Sequence, residues 1–265
     1  MDLQLKGKRA LVTGSSTGIG AAVATTLARE GAAVIVHGRD ESKAQAVADS
    51  IESEGGTARV VTGDLATDAG AAQVARKVRE VGPVDILVNN AGVYETSSWD
   101  TETTDHWIRA TESNVLSAVR MIQALLPDMK RRGWGRIIQM GSGTGHQPLA
   151  GYPQYGATKA AMLNMTVSLS RHLRGTGVTS NILTAGLIRV DSLENMFRAT
   201  RDDFGWGETW EEIEQGALRD FVPNDVGRIG TPEDVACIVA MLASPLSRYV
   251  SGANWQVDGG STMGI

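Results

Sequence analysis

Two kinds of apolar stretch alternate along the chain. Residues 9–13 and 33–37 are short runs of branched and small apolar residues, which are typical of strands buried on both faces of a sheet. Between them, residues 19–30 carry apolar side chains at helical spacing and end at Gly31, a common C-terminal signal of helices. The same unit repeats: further strands are predicted at residues 58–62, 84–89, 136–140, 178–183 and 253–257, and further helices at 42–54, 67–81, 103–132, 154–174 and 232–243.

This alternation indicates an α/β fold. Because crossovers between parallel strands are right-handed, they place helices on both faces of the sheet. We therefore predict a doubly wound parallel sheet of about seven strands. No linker, low-complexity tract or long-period repeat interrupts the sequence, so residues 1–265 are predicted to form a single domain.

Residues 190–225 depart from the alternation. They combine many acidic residues with Gly205 and Gly207 as helix breakers, which predicts short helices inserted between the last two units. Ligands of such sheets bind beyond the carboxyl ends of the strands, so we expect this insertion to form a lid over the active site. A surface helical hairpin or a subunit contact is the alternative. The insertion carries the aromatic residues Phe197, Phe204, Trp206, Trp210 and Phe221.

Composition narrows the classes of function. The formal net charge of −5 argues against a nucleic-acid-binding surface, which needs a basic face. The N-terminus lacks the apolar segment of a signal peptide, and the longest apolar run, near residues 236–243, is too short for a membrane span. The four histidines are scattered without ligand spacing, so no metal site is predicted.

The chain has a single cysteine, Cys237, which excludes a disulfide within the chain. Its apolar neighbours predict a buried, unreactive thiol. A lone cysteine fits a reducing compartment, and we expect a cytoplasmic protein.

A glycine-rich turn follows the first predicted strand and leads directly into a helix, with the sequence Thr-Gly-Ser-Ser-Thr-Gly-Ile-Gly at residues 13–20. Glycines in this place allow a tight turn and let backbone N–H groups approach a pyrophosphate at the helix N-terminus. The turn therefore predicts a dinucleotide site. Its predicted contacts are Gly14, Ser16, Thr17, Gly18, Ile19 and Gly20.

The spacing of this turn resembles the glycine motif of the short-chain dehydrogenase/reductase family. Residues 89–92, Asn-Asn-Ala-Gly, are similar to the family motif that supports the sheet and borders the cofactor. Asp64 and Leu65 match the position that contacts adenine. The resemblance covers almost the whole chain and implies a Rossmann fold that binds NAD(P), with Asn90, Ala91 and Gly92 at the cofactor.

Tyr155 and Lys159 stand four residues apart on one predicted helix, so their side chains can converge. An unperturbed tyrosine has a pKa near 10, and a neighbouring ammonium together with a nicotinamide charge is expected to lower it. Ser142 stands thirteen residues before Tyr155, just past a predicted strand. The sequence is thereby similar to the catalytic motif of the family, whose fourth catalytic position matches Asn114.

This resemblance implies a role for each of the four residues. Tyr155 would act as general acid in reduction and as general base in oxidation, while Ser142 binds the substrate oxygen. Lys159 would tune Tyr155 and hold the nicotinamide ribose, so both residues also contact the cofactor. Asn114 would hold a helix irregularity and a water that connects the lysine to solvent.

The end of the second predicted strand bears on which nicotinamide cofactor is bound. An acidic residue there would bind both ribose hydroxyls and repel a 2′-phosphate, but Gly38 occupies the position. The guanidinium of the following Arg39 can pair with a phosphate, while Ser16 and His37 can add hydrogen bonds. We predict a preference for NADP(H), with NAD(H) left possible because Asp40 can turn inward.

The loop after the sixth predicted strand departs from the family pattern, because Ala185 replaces a proline and Val190 a threonine. A less rigid loop is expected, in which Gly186, Leu187 and Ile188 contact the nicotinamide. Asp191 or Ser192 is expected to supply the missing polar contact. The predicted substrate contacts are Ser142, Thr144, Gln147, Tyr152 and Tyr155, with Tyr94, His146, Leu187 and the region of Trp206 and Trp210 as further candidates.

The predicted function is hydride transfer between NADP(H) and a carbonyl or secondary alcohol. Two alternatives remain open: an NAD-dependent alcohol or sugar dehydrogenase, and a nucleotide-binding regulatory or structural protein without turnover. The resemblance also implies a homotetramer built through the last strand and the two long helices. A small molecule is the expected partner, without nucleic acid or membrane.

Overall fold

The computed structural model describes residues 1–262 and contains a seven-stranded parallel sheet in the order β3-β2-β1-β4-β5-β6-β7. The chain begins near the middle of the sheet, builds outward to β3, and then crosses to the other side of β1. This topology confirms the predicted doubly wound fold. The strands are β1 (Arg9–Val12), β2 (Ala33–Gly38), β3 (Thr57–Thr62), β4 (Ile86–Asn89), β5 (Gly135–Ser142), β6 (Val178–Ala185) and β7 (Asn254–Val257).

Helices cover both faces of the sheet, and each face has its own core. In β1 the fully buried Val12 packs with residues of α1 and α9, while its neighbour Leu11 packs with residues of α3 and α5. Both faces of each central strand are therefore apolar, which explains the nearly continuous apolar runs of the sequence. The helices are α1 (Gly18–Arg29), α2 (Glu41–Ser53), α3 (Asp68–Val81), α4 (Thr104–Thr111), α5 (Ser117–Arg132), α6 (Pro153–His172), α7 (Asp191–Phe204), α8 (Trp210–Asp220) and α9 (Pro232–Ala243).

The predicted helix at residues 103–132 is divided in the structure. A π-helical turn, Glu112–Leu116, separates α4 from α5, whereas Pro127 lies inside α5 without ending it. Such π turns widen the helix by one residue and occur often at functional sites. This turn places Asn114 at its centre, with the side chain fully buried.

The insertion after β6 forms two helices, α7 and α8, around an apolar cluster that also includes Ile229. Phe197 and Trp206 pack edge to face with ring centroids 5.5 Å apart, and Ile213 is fully buried beside them. The indole N–H of Trp206 donates to Asp220 at 2.8 Å. We call residues 191–221 the lid segment.

Cys237 corrects one expectation, because its side chain is exposed instead of buried. The helix α9 turns Val235, Ala236 and Val239 toward the sheet, and Cys237 falls on the opposite face, where its thiol donates to the Asp234 carbonyl at 3.2 Å. Apolar sequence neighbours therefore do not fix the face that a residue takes, since each residue of a helix is rotated by about 100° from the one before. Among the described residues, the helices are all too short or too polar to cross a membrane.

Candidate active site

The strand order reverses direction between β1 and β4, and the crevice beyond their carboxyl ends is the place where such sheets bind ligands. Thr13 joins the loops that follow these two strands: its hydroxyl accepts hydrogen bonds from the backbone N–H groups of Asn90 and Ala91, both at 3.0 Å. The Asn90 side chain in turn donates to the carbonyls of Thr13 and Gly14 at 3.0 and 2.9 Å. The glycine turn is thereby locked to residues 89–92.

Two glycines of the turn are required by close contacts. A Cβ at Gly14, whose φ is +63°, would lie 2.8 Å from the Cα of Ala91, and a Cβ at Gly20 would lie 2.3 Å from the Gly14 carbonyl oxygen. The helix α1 begins at Gly18, and its N-cap Thr17 makes no side-chain capping bond. The first-turn N–H groups and the positive end of the helix dipole thus face the crevice, an arrangement that suits a pyrophosphate.

A cleft beside this turn brings together most of the residues predicted to bind the adenosine half of a dinucleotide. It lies over β1, β2 and β4 and opens toward the N-terminus of α1. Gly20 and Asn90 support the turn from behind. The predicted residues that line the cleft are Gly14, Ser16, Thr17, Arg39, Asp64, Leu65, Ala91 and Gly92.

The tip of β2 leaves no room for a side chain at position 38. A Cβ at Gly38 would lie 2.7 Å from Oγ and 2.8 Å from Cβ of Ser16. Asp40 is occupied elsewhere: its carboxylate caps α2 by accepting from the backbone N–H of Lys43 at 3.2 Å and from the hydroxyl of Ser42 at 3.0 Å. These hydrogen bonds lower the pKa of Asp40. Arg39 is the charged side chain that the strand tip presents to the cleft.

His37 lies beneath the same cleft and is only 3% exposed. Its Nδ1 accepts from the backbone N–H of Gly14 at 3.2 Å, so the proton of the neutral ring belongs on Nε2. Burial lowers the pKa of His37 to about 4, despite the opposing Gly63 backbone and the Asp64 charge. Nε2 is buried and, apart from the influence of the Gly63 backbone, makes no hydrogen bond of good geometry with the described residues. A buried N–H without a well-formed hydrogen bond beside an open cleft fits a site that a polar ligand completes.

Lys159 projects from α6 into the interior and is 6% exposed. Its Nζ donates to the Met140 carbonyl of β5 at 2.7 Å and lies 5.4 Å from the centroid of the Tyr155 ring. Burial lowers the pKa of Lys159 to about 8, because the interior disfavours the charged ammonium.

Tyr155 stands one helical turn before Lys159, and its titration differs from the sequence expectation. Burial around the hydroxyl raises the pKa of Tyr155 to about 12, and the nearby Tyr94 and Tyr152 also raise it, whereas a hydrogen bond with Ser142 lowers it. The ammonium and a bound nicotinamide were expected to lower this pKa, but burial is its largest cause here and Lys159 is not among the groups that shift it. The phenol is therefore protonated at neutral pH, the form needed to donate a proton.

Ser142 ends β5 and begins a 3₁₀ turn, Gly143–Gly145. Its hydroxyl oxygen accepts from the backbone N–H of Thr144 at 3.4 Å and from the Thr144 hydroxyl at 3.1 Å. With its hydrogen bond to Tyr155, Ser142 joins β5 to α6 at the point where the two predicted catalytic groups meet.

Asn114 ties the loop after β4 to α6. Its Oδ1 accepts from the backbone N–H of Val93 at 2.7 Å, and its Nδ2 donates to the Val93 carbonyl at 2.9 Å and to the Thr158 hydroxyl at 3.1 Å. Thr158 directly precedes Lys159. The amide thus fixes both the loop and the helix, while the water predicted beside it remains a prediction.

The loop after β6 is held by backbone pairing. Gly230 donates its N–H to the Leu187 carbonyl at 3.0 Å and accepts from the N–H of Arg189 at 2.7 Å, which forms a parallel bridge at Ile188. This pairing restricts the backbone just after Ala185, the position where a proline was expected. Val190 reaches α1, since its Cγ1 lies 3.3 Å from the Cβ position of Gly18.

Phenols and hydroxyls surround Tyr155 at the mouth of the site. The rings of Tyr94 and Tyr152 lie 6.2 and 6.3 Å from that of Tyr155, and the Tyr94 hydroxyl donates to Ser192 of the lid segment at 3.0 Å. The structure therefore brings Ser142, Thr144, Tyr152 and Tyr155 together. It places Trp206 and Trp210 inside the lid segment, where they are 6% and 8% exposed.

Comparison with known proteins agrees with this geometry. Residues 8–201 match the family model described as short chain dehydrogenase. The chain is 37% identical over 263 residues to the 3-oxoacyl-acyl-carrier-protein reductase FabG of Vibrio cholerae, covering 98% of this chain and 100% of that protein.

Two solved structures extend the comparison. The L-sorbose reductase of Gluconobacter frateurii, complexed with NADPH and L-sorbose, superposes with a TM-score of 0.94 at 32% identity over 100% of both chains. A gluconate 5-dehydrogenase of Burkholderia cenocepacia, in complex with NADP and tartrate, has a TM-score of 0.87 at 30% identity, covering 100% of this chain and 98% of that one. Together with the site, these matches show that the chain belongs to the short-chain dehydrogenase/reductase family, whose members are oxidoreductases acting on CH–OH or carbonyl groups.

Proposed function

We propose that this protein uses NADP(H) to reduce a small polyhydroxylated ketone. The observation that carries the cofactor preference is the tip of β2, where Ser16 excludes a side chain at position 38 and Arg39 faces the cleft. An acidic side chain that would select NAD would overlap Ser16 there, and Asp40 is engaged as the cap of α2. A 2′-phosphate would find the guanidinium of Arg39 instead.

The catalytic roles follow from the positions of four side chains. Tyr155, protonated at neutral pH, donates its proton to the substrate oxygen, while the Ser142 hydroxyl donates a hydrogen bond to the same oxygen. Lys159 stays close to the ring and holds the ribose, and Asn114 fixes the loop and helix around them. When bound, the nicotinamide supplies the hydride to the carbonyl carbon.

The substrate class is proposed from the hydroxyl groups that line the mouth of the site. Tyr94, Tyr152 and Ser192 offer hydrogen bonds to several hydroxyls at once. L-sorbose, bound by the relative with the TM-score of 0.94, is such a ketone. The similarity to FabG supports a 3-oxoacyl thioester as the second candidate. By analogy with such relatives we also propose a cytoplasmic homotetramer.

Cofactor preference is tested by titrating wild type and Arg39→Ala with NADPH and with NADH, following energy transfer from tryptophan. We expect wild type to bind NADPH at least about tenfold more tightly, which corresponds to about 1.4 kcal/mol, and the difference to collapse in the variant. Arg59→Ala serves as the control, because Arg59 is an exposed arginine of β3 that pairs with Glu52 of α2. Equal or tighter binding of NADH by wild type would contradict the preference.

The substrate class is tested by following NADPH oxidation with L-sorbose, 5-ketogluconate and an acetoacetyl thioester at equal concentrations. We expect the sugar ketones to give the larger kcat/KM. A larger value with the thioester would replace the first candidate with the second, and no turnover with any carbonyl compound would contradict the enzymatic proposal.

A further inference from the structure

The 3₁₀ turn after β5 packs directly on the helix that carries the catalytic tyrosine and lysine. A Cβ at Gly156, next to Tyr155, would lie 3.1 Å from the Thr144 carbonyl oxygen, and a Cβ at Gly145 would lie 2.9 Å from the carbonyl carbon of Lys159. Glycines at both places allow this close approach. The turn is therefore held in register with α6 at the catalytic residues themselves.

Within this turn, Thr144 directs two donors at one acceptor. Its backbone N–H and its hydroxyl both point to the Ser142 oxygen, at 3.4 and 3.1 Å. A serine hydroxyl has two acceptor lone pairs and one proton. With both lone pairs engaged by Thr144, the Ser142 proton remains directed away from the turn.

The direction of that proton agrees with the titration of Tyr155. The hydrogen bond with Ser142 lowers the pKa of Tyr155. A hydrogen bond lowers the pKa of a phenol when it favours the phenolate, and a phenolate oxygen is favoured by a donor. Because Thr144 donates to Ser142, the Ser142 proton is the group available to donate toward Tyr155 and the proposed substrate oxygen.

We infer that Thr144 is a positioning residue that fixes Ser142 as a hydrogen-bond donor, instead of the direct substrate contact that the sequence predicts. This inference rests on the proposed function. A serine free to rotate spends part of its time with its proton turned away, and the developing oxyanion then loses a donor. The Thr144 hydroxyl excludes that orientation.

The test is a double-mutant cycle with Thr144→Val and Ser142→Ala, assayed on the sugar ketone that wild type reduces fastest. Valine keeps the shape and the backbone N–H but lacks the hydroxyl. We expect Thr144→Val to lower kcat about tenfold with KM unchanged within about twofold, because one donor orientation is lost in the transition state. In the Ser142→Ala background the same substitution should have no further effect, and Thr144→Ser should restore kcat.

The pH dependence of the rate gives a second test, because a loss of stability alone would not shift it. With Ser142 less constrained as a donor, the pKa of Tyr155 rises further, so the pH at which the reverse, alcohol-oxidising rate is half-maximal should shift upward in Thr144→Val. Thr176→Val is the matched control, since its hydroxyl bonds the Leu173 carbonyl at the opposite end of the sheet. We expect this control to keep the wild-type profile.

Three outcomes would overturn the inference: a Thr144→Val kcat equal to that of wild type, a full effect persisting in the Ser142→Ala background, or an effect on KM alone. Thr144→Ala repeats the cycle if the valine variant does not fold, as judged by its melting temperature and NADPH binding. An inactive wild type would overturn the proposed function and this role together, so the wild-type rate distinguishes the two failures.

Discussion

The two halves of the site are built differently. On the cofactor side, Thr13 and Asn90 connect two loops through four hydrogen bonds, and the contacts around Gly14 and Gly20 exclude any larger residue. On the substrate side, the lid segment packs around an apolar cluster that it shares mainly with Ile229, and the hydrogen bond from Tyr94 to Ser192, which joins the segment to the loop after β4, is exposed. The first half is a fixed cradle, whereas the second is a separate unit resting on it.

The cofactor side binds a group that all such enzymes share, whereas the substrate side is where they differ from one another. A dinucleotide presents the same pyrophosphate in every case, so its cradle can be rigid. The sequence predicts that the lid segment covers the substrate, and a segment packed mainly on itself can change its contacts there without disturbing the sheet. The cofactor half and the substrate half should therefore respond independently to mutation.

The largest effect is expected from removing the proton donor. Tyr155→Phe should lower kcat about a thousandfold, or about 4 kcal/mol, because the general acid is lost. Cofactor binding should change by less than about threefold, since the cradle is untouched. Single-turnover NADPH oxidation and a binding titration measure both. A variant that also loses cofactor affinity would show that the two halves are coupled.

The second-largest effect is expected from a substitution in the core of the lid segment. Phe197→Ala should destabilise this segment by about 3 kcal/mol, because Phe197 is 3% exposed and packs on Trp206. Hydrogen exchange should accelerate in α7 and α8 while β1 and α1 stay protected. Phe204→Ala, at a position 46% exposed, is the control and should have a smaller effect. Uniform acceleration across the sheet would mean that the lid is not a separate unit.

The smallest of these effects concerns the cradle itself. Gly14→Ala should weaken dinucleotide binding about thirtyfold, or about 2 kcal/mol, because its Cβ meets Ala91. Gly7→Ala is a matched control: its φ of +81° is also positive, but no atom lies within 4 Å of its Cβ position. Alanine is strained by the positive φ in both variants, so only the difference between their dinucleotide affinities measures the contact with Ala91. Equal affinities in the two variants would contradict the steric requirement.

What could be predicted from the sequence divides in a similar way, between features set by neighbouring residues and features set by distant contacts. The glycine turn and the strand-helix alternation were predicted correctly because a required contact or a buried face acts locally on residue type. The irregularity at Asn114 was expected only from the family resemblance, since the contacts that satisfy its side chain come from Val93 and Thr158, which are distant in sequence.

The remaining differences between the sequence predictions and the structure depend on how side chains are buried once the chain is folded. Whether Lys159 or the apolar surroundings control the pKa of Tyr155 depends on how deeply the hydroxyl lies, which the four-residue spacing does not tell. Cys237 is exposed because of the way α9 is rotated about its axis on the sheet. His37 was considered only as a possible hydrogen-bond donor, because its contact with the Gly14 N–H appears only once β1 and β2 are paired.

The contact between Gly38 and Ser16 also constrains how the protein can evolve. Since a Cβ at position 38 meets both Oγ and Cβ of Ser16, rotation of the serine does not relieve the overlap. A lineage that acquired an acidic residue at position 38 by a single substitution would pass through a crowded, poorly binding intermediate. On the proposed preference for NADP(H), a change toward NAD through an acidic residue at position 38 would be eased by glycine at position 16, because alanine keeps the Cβ that position 38 meets.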